Sequence, residues 1–444
     1  MQKNWVRKGL VCGIIVLFVG ASVVPISCAN ERCEVYVDDD NTGQEDGSWL
    51  FPYNTITEGI ENVCEGGFVY VGNGSYNECI VIKKPLTLKK TDKVFPGNKQ
   101  NYLIIDGGGN DSVIKIEYCQ QYNVTIDGFD IRNSRHTTDD AGIFITGSYN
   151  CHILNNDLNN NYNGIIIKDS TLIEINENRI HINQKNGIQV YGKSSDIIIK
   201  NNNKIYDCEE NGILCSSEIQ ESNIQIILNN SIFSCKYDGI HIDPDSSGIK
   251  INHNTIYDCG IRAPLKDYGN GIKIDNSQKI YIENNDIINT TSGISITSGS
   301  SEILIEYNNI SECYDNGICI NGVWVMAQCY HNDIYKNGLN QKYGAGFIIE
   351  GNDNKNLSIN NNYIHENEIN IVVSHSTSFY NMDHFTENNI TEPVKWQFWA
   401  FLCFIVHAEH NYWGDVFPLR DFIQSLFKGS IFRIHPCSDH PWSW

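Results

Sequence analysis

The chain has 444 residues, a formal net charge of −21 and a hydrophobic fraction of 41%. It is long enough to bury a sizeable core. Its acidity makes nucleic acid and anionic membrane surfaces poor partners and leaves divalent cations, neutral glycans or plain solvation as what such a surface suits.

In chain order, residues 1–29 read as a secretory signal. Lys3, Arg7 and Lys8 precede an apolar run from Gly9 to Val24, and Ser27-Cys28-Ala29 offers a cleavage site of small residues. The run Val23–Cys28 also approaches a lipoprotein box, but Pro25 stands where such a box wants Leu. Without the signal, 29 basic residues face 53 acidic ones, a net charge of −24. The location expected is secreted, at the extracellular cell surface. Fourteen cysteines remain after the signal, which permits disulfides in an oxidising compartment but leaves their pairing open. No later apolar stretch is long enough for a membrane span; the best, Trp396 to Val406, is short and carries Gln397.

Residues 30–66 form a leading segment that ends in a short amphipathic helix, with Ile56, Ile60 and Val63 following Thr55 at helical spacing. From 67 to 414 the chain repeats. Asn-x-(Ile/Leu) recurs at Asn156, Asn178, Asn203, Asn230, Asn254, Asn285, Asn308, Asn332, Asn362 and Asn388, and Asn411 closes the column. A second column of Gly-Ile or Gly-Phe steps runs through Gly142, Gly164, Gly187, Gly212, Gly239, Gly271, Gly293, Gly317 and Gly346. Between the markers, runs such as Ile224/Ile226/Leu228 and Ile280/Ile282 alternate apolar with polar, the period of strands with one buried face. Three short strands in each unit of about 24 residues make one coil of a parallel β-solenoid, so the fold class expected is all-β, with about a dozen coils. Asn and Gly are assigned to the corners, where they tolerate left-handed backbone angles, and stacked Asn amides bond along the column. Residues 415–444 read as an aromatic-rich cap with a small helix through Leu419, Phe422, Ile423 and Leu426; five of the seven tryptophans beyond the signal follow residue 395.

The leading stretch YVDDDNTG…FPYNTITEGIENVCEGGFVYVGNGSYNECIVI, the NGI and N-x-I coils and the ending HNYWG…IHPCSDHPW together resemble the NosD-like group of secreted right-handed parallel β-helix proteins, the carbohydrate-binding and sugar-hydrolysis repeat proteins, especially their archaeal surface versions. The resemblance implies the fold over nearly the whole mature chain. For function it implies several things, since the group holds sugar-processing enzymes, glycan binders and copper-site maturation factors.

Aligning the coils on Gly stacks DGIHID (238–243) on NGIKID (270–275). Ile240 and Ile242 then point inward and His241 and Asp243 outward. One coil on, Lys273 lies beside His241 and Asp275 beside Asp243, the carboxylates roughly 5 Å apart. Such a pair suits calcium, or one carboxyl with a raised pKa for acid/base work. Tyr191 shares the column two coils earlier, and Asp245 follows Asp243. The insertion Gly260–Tyr268 carries Arg262 and Lys266 toward the patch. The plain alternative is a solvated polar face: partial echoes of pectate lyase, uronan epimerase and polygalacturonase motifs each lack a required residue.

Cys208, Cys235, Cys259 and Cys313 form another column, first read as small buried core residues, with a thiol ladder for Cu(I) as the alternative. His407, His410, His435 and His440 have loosely copper-ligand spacing, although His253 and His331 also precede ladder asparagines, as His410 does. Eight Asn-x-Ser/Thr sequons are compatible with a surface glycoprotein. The function read first is a non-catalytic glycan-binding or structural module whose partner is a polysaccharide or surface glycan. The second is a polysaccharide lyase, epimerase or hydrolase using Asp243 and Asp275, with Lys273, Lys266 or Arg262 as base or charge neutraliser. The third is copper handling.

Overall fold

The computed structural model describes residues 32–401, apart from 94, 96–97, 99, 121–122, 217–225, 261–268, 340–343, 352–356, 375–383, 387, 392 and 394–395, together with the strands Ile405–His407 and Ile431–Arg433. Three long parallel sheets of 14, 13 and 13 strands wind into a β-helix, each coil contributing one strand to each sheet. In the central coils the chain enters the first sheet, passes through a three-residue strand of the third sheet and then joins the second, as in Ile226–Leu228, Ser231–Phe233 and Ile240–Ile242. Adjacent strands pair in parallel with equivalent residues in register: Ile205 with Ile232 and Ile256, Ile213 with Ile240 and Ile272. The core is a set of stacked isoleucines, nearly all fully buried. Each contributes about 1.5–3 kcal/mol by leaving water.

The first strand, Arg32–Val37, precedes the helix and pairs with Val63–Val71, so the leading segment supplies the start of the first sheet. The helix Ile56–Asn62 is capped by Thr55, whose hydroxyl oxygen accepts from the Glu58 backbone N–H at 3.2 Å. It buries Ile56 and Ile60 over the opening of the barrel. A disulfide joins Cys33 to Cys64 across the first pair of strands. Tyr36, Trp49, Tyr70 and Phe95 form an aromatic cluster at the same end. The expected helix of the final segment and Asn411 lie outside the described residues.

The asparagine column is a continuous amide ladder. Each side-chain carbonyl accepts from the backbone N–H of the preceding coil's asparagine, as Asn254 does from Asn230 at 3.0 Å, and each amide donates back to a core-strand carbonyl. Its members from Asn156 to Asn388 are buried and satisfied. The corner explanation needs correcting. The left-handed residue is the one before each ladder asparagine from Asn156 to Asn362, including Glu177, His253, Tyr307 and His331. The glycine column is not left-handed either; its reason is close approach. A Cβ on Gly239 would lie 2.6 Å from Ile256 Cγ2 and 2.7 Å from the Gly271 oxygen.

The cysteine column occupies the middle of a second amide ladder. Asn161 and Asn183 precede it, and Asn337 and Asn367 follow it. Cys208, Cys235, Cys259 and Cys313 are all buried, with sulfurs directed at backbone oxygens of their own coil. Burial pushes the Cys313 thiol up to about 11. These are core positions rather than an open thiol surface.

Candidate functional site

A third ladder lies at the Asn-Gly corner, where the Asn186 carbonyl accepts from the Asn211 N–H and the Asn211 carbonyl accepts from the Asp238 N–H. Asp238 therefore stands where neighbouring coils carry asparagine. Its Oδ1 accepts from the backbone N–H of Gly269 and Asn270 and from the Asn270 amide, at 3.0, 2.7 and 2.9 Å. An asparagine there would offer N–H on its other arm. Asp238 offers a second oxygen, which makes no hydrogen bond of good geometry and lies 3.2 Å from His241 Nδ1. The side chain is 0% exposed, so a charge in this place demands a cation.

His241 supplies it. It lies midway along Ile240–Ile242, paired with Leu214 before it and Lys273 after it. Its Nε2 is 3.0 Å from Asp275 Oδ2 and 3.4 Å from Asp243 Oδ1, so both outward carboxylates converge on one ring nitrogen. Lys273 Nζ lies 3.0 Å from Asp275 Oδ2, and the Thr297 hydroxyl donates to Asp275 Oδ1 at 2.9 Å. The Ser277 hydroxyl contacts the backbone oxygens of Asp243 and Asp275 at 2.9 and 2.8 Å, tying the two coils together beneath the pair. Asp243, 33% exposed, is the most open member.

Burial by itself would lower the His241 pKa, but the carboxylates of Asp238 and Asp275 raise it to about 9. Burial would likewise raise Asp275, yet the bonds to His241 and Lys273 and that from Thr297 bring it down to about 2. The expectation of a raised carboxyl in the pair thus fails at Asp275, because two cations from adjacent coils press on it. His241 Nε2 occupies the place where calcium is expected between Asp243 and Asp275. A group that could hold a divalent cation such as calcium lies instead at the N-terminal end: carboxylate oxygens of Asp38, Asp39 and Asp40 lie within 4.8 Å of one another. Asp38 and Asp40 border a cavity of about 480 Å³ lined also by Trp49, Leu50, Pro52 and Phe95.

The other predicted residues fall apart from this cluster. Tyr191 has its hydroxyl 3.3 Å from Asp139 Oδ1 and its ring under Lys168. Asp245 is an exposed left-handed corner residue accepting from the Asn276 amide at 3.4 Å. Arg262 and Lys266 lie outside the described residues, as do His410, His435 and His440. His407 ends a strand paired with Ile431–Arg433, and the placement of its side chain is not described.

Sequence reasoning missed Asp238, although the change from NGI to DGI at that coil is its signal. It also missed a polar cluster on the third sheet. Asp130 and Asp157 are direct register partners on Asp130–Arg132 and Asp157–Asn159. The Asn159 amide nitrogen donates to both carboxylates, at 2.9 and 3.3 Å. His181 Nε2 lies 2.8 Å from Asp157 Oδ1 and Arg179 Nη1 3.4 Å from Asp157 Oδ2. Arg132 is turned to Asp106 instead, at 3.2 Å.

The family described as right handed beta helix region matches residues 97–259, 141–310, 215–352 and 266–391. No curated protein matches the chain by sequence. Among solved structures, a complex of XylC with xylose is 12% identical with a TM-score of 0.55, covering 70% of this chain and 77% of that one. A GH136 lacto-N-biosidase from Eubacterium ramulus is 13% identical with a TM-score of 0.53, covering 76% and 68%. These likenesses are of fold. Among the described residues no helix is long and apolar enough to cross a membrane.

Proposed function

The chain belongs to the right-handed β-helix family, and from that premise we propose that it is an exported protein acting on polysaccharide at or beyond the cell surface, as a lyase, epimerase or glycoside hydrolase. The observation that carries this reading is the meeting of Asp243 and Asp275 from successive coils at one protonated imidazole, itself anchored on buried Asp238. All three reaction classes need a proton placed beside a sugar ring. His241 holds that proton at Nε2, and Asp243, the most exposed member, exchanges it with the substrate. Asp238 and Asp275 keep the imidazole charged and fixed. The outward face around it runs along the solenoid axis and matches an extended glycan.

One feature favours a second reading, a non-catalytic glycan-binding module. Asp275 has both oxygens engaged within the protein, so much of the cluster is satisfied without a ligand. The secreted chain, screened against a polysaccharide panel with and without calcium, separates the two. Turnover that disappears in Asp243→Asn while retention on the glycan persists establishes the enzyme. Retention with no product from any glycan establishes the binding module.

A further inference from the structure

The three aspartates at the N-terminal end are short of donors. Asp38 is 4% exposed, and its Oδ1 accepts from the Asn98 amide at 2.8 Å. Asp39 Oδ2 accepts from the backbone N–H of Ser75 at 2.8 Å, and Asp40 Oδ1 lies 3.5 Å from the Gln100 amide nitrogen. These donors are all neutral. The charged neighbours acting on Asp38 and Asp39 are other members of the triad, of like sign. One oxygen from each carboxylate lies within 4.8 Å of the other two, so the three repel unless a cation stands among them.

Around the triad, three buried acceptors have no donor. Asp39 Oδ1, Asn73 Oδ1 and Gln100 Oε1 are closed off from solvent, and none receives a hydrogen bond of good geometry. Their side chains belong to one network. The Asn98 amide donates to both Asp38 Oδ1 and the Asn73 backbone oxygen, at 2.8 and 2.7 Å, and the Asn73 amide donates to the Gln100 backbone oxygen at 3.0 Å. Buried oxygens without donors are destabilising, and a metal ion satisfies them where no N–H can. The backbone also makes room for the carboxylate: a Cβ on Gly74 would overlap that of Asp39, so glycine is needed there for space. The cavity bordered by Asp38 and Asp40 supplies an entry path and room for water ligands.

We propose that Asp38, Asp39 and Asp40 bind one calcium ion, with the side-chain oxygens of Asn73 and Gln100 adding to its shell, and that this ion fastens the leading segment to the first coils. The donor set is all oxygen, which suits calcium, a hard cation that takes six to eight such ligands at about 2.3–2.6 Å. Ligands opposite one another on calcium stand about 4.6–5.2 Å apart, so oxygens within 4.8 Å of one another share a single ion. Magnesium wants a near-ideal octahedron of shorter bonds and gives up its waters reluctantly. Carboxylate and amide arms from separate segments favour the larger ion. Those segments meet through contacts spanning 36 and 60 residues of chain. The ion therefore does for the loops what the Cys33–Cys64 disulfide does for the first two strands. Its role is structural, and it stands whether the protein is an enzyme or a binding module.

The test uses the full secreted chain, stripped with EDTA and titrated with calcium chloride by calorimetry. Binding of one ion is expected, with a Kd on the order of 10⁻⁴–10⁻³ M or tighter, and the melting temperature should rise by several degrees as the site fills. Asp39→Asn should weaken binding about 10-fold or more, since each lost ligand charge lowers affinity. Asp40→Asn changes an exposed residue that the fold does not need and should weaken binding several-fold. Gly74→Ala keeps every ligand and should still weaken binding, because its methyl displaces Asp39. Asp243→Asn should bind calcium as the parent chain does. Calcium should slow hydrogen exchange at residues 38–41, 73–76 and 98–100 and leave residues 238–243 and 272–275 unchanged. Circular dichroism of each variant confirms that it is folded. The proposal is overturned if calorimetry detects no calcium, if folded Asp39→Asn and Asp40→Asn bind as the parent does, if the protected amides are those around Asp243 and Asp275, or if magnesium at the same concentration gives equal protection.

Discussion

Two pairs of aspartates face outward from adjacent coils of this solenoid, and they are built to opposite ends. On the second sheet, Asp275 is pressed by His241 and Lys273, and a buried carboxylate, Asp238, charges the imidazole from below. On the third sheet, the close partners are unevenly shared. Asp157 takes His181 and Arg179, while Asp130 keeps an uncharged amide. The backbone arrangement is the same in both places, equivalent residues one strand apart. The difference comes from what the next coil puts in the neighbouring column, so in a repeat protein the chemistry of a residue is set by its partner some 22–34 positions away.

The largest effect expected from this contrast is on turnover. Asp243→Asn should remove turnover by a factor of about 1,000, whereas Asp157→Asn, whose carboxylate is already engaged by His181, Arg179 and Asn159, should leave it nearly unchanged. Rates of both variants on one polysaccharide panel measure this, and a shared loss breaks the comparison.

Stability comes next. His241→Ala would strand Asp238 as a buried unpaired charge, at a cost of about 3–5 kcal/mol. His181→Ala removes a hydrogen-bond partner from a carboxylate that is 35% exposed and can turn to water, so about 1 kcal/mol is expected. Denaturant midpoints of the two variants should differ accordingly, and equal losses would mean that the buried His241–Asp238 contact stabilises no more than the His181–Asp157 contact.

The same cluster should give the fold a pH window. His241, raised from 6.5 to about 9 in the folded state, contributes stability that is fully present below pH 6.5 and is lost as pH rises through about 9. The linkage is on the order of 3 kcal/mol. Asp275, lowered from 3.8 to about 2, contributes stability present above pH 3.8 and lost as pH falls through about 2. Maximum stability should therefore lie between about pH 4 and 6.5, and the alkaline fall should vanish in His241→Gln. Melting curves across pH measure both limbs; an alkaline fall that survives the substitution assigns it elsewhere.

Much of this architecture was legible because a solenoid writes its geometry as periodicity. The asparagine and glycine columns placed the coils, and Gly alignment set His241 beside Lys273 and Asp243 beside Asp275. The reasons for the columns were less legible. A left-handed angle at the residue before each ladder asparagine, and a Cβ clash between coils at glycine, leave the same letters in the sequence as the simpler corner explanation. Asp238 was readable as a ladder asparagine changed to aspartate, but only once the ladder is known to be buried. Asp130 and Asp157 were hidden for a different reason. Their strands are three residues long, too short for alternation to reveal an outward side, and Asp130 lies one coil before Asn156 opens the column. The late histidines, and Arg262 and Lys266, stand outside the described residues and remain sequence expectations.

The smallest effect sharpens the contrast most. A carboxyl whose pKa is raised by burial and a neighbouring charge contributes stability only while protonated, and that contribution is lost as pH rises above the ordinary carboxylate range. Asp130→Asn keeps the shape and the contact with Asn159 but removes the titration. It should therefore stabilise the protein at neutral pH, by no more than about 1 kcal/mol, and the gain should shrink toward zero at pH 4. Asp275→Asn should do the opposite, since it discards a carboxylate that His241 and Lys273 hold ionised. Opposite signs from the same substitution, read from denaturant midpoints at pH 4 and 7, mean that one pair stores an unfavourable charge and the other is neutralised. Matching signs would show that the cations of the second sheet and the amide of the third leave their aspartates in equivalent states.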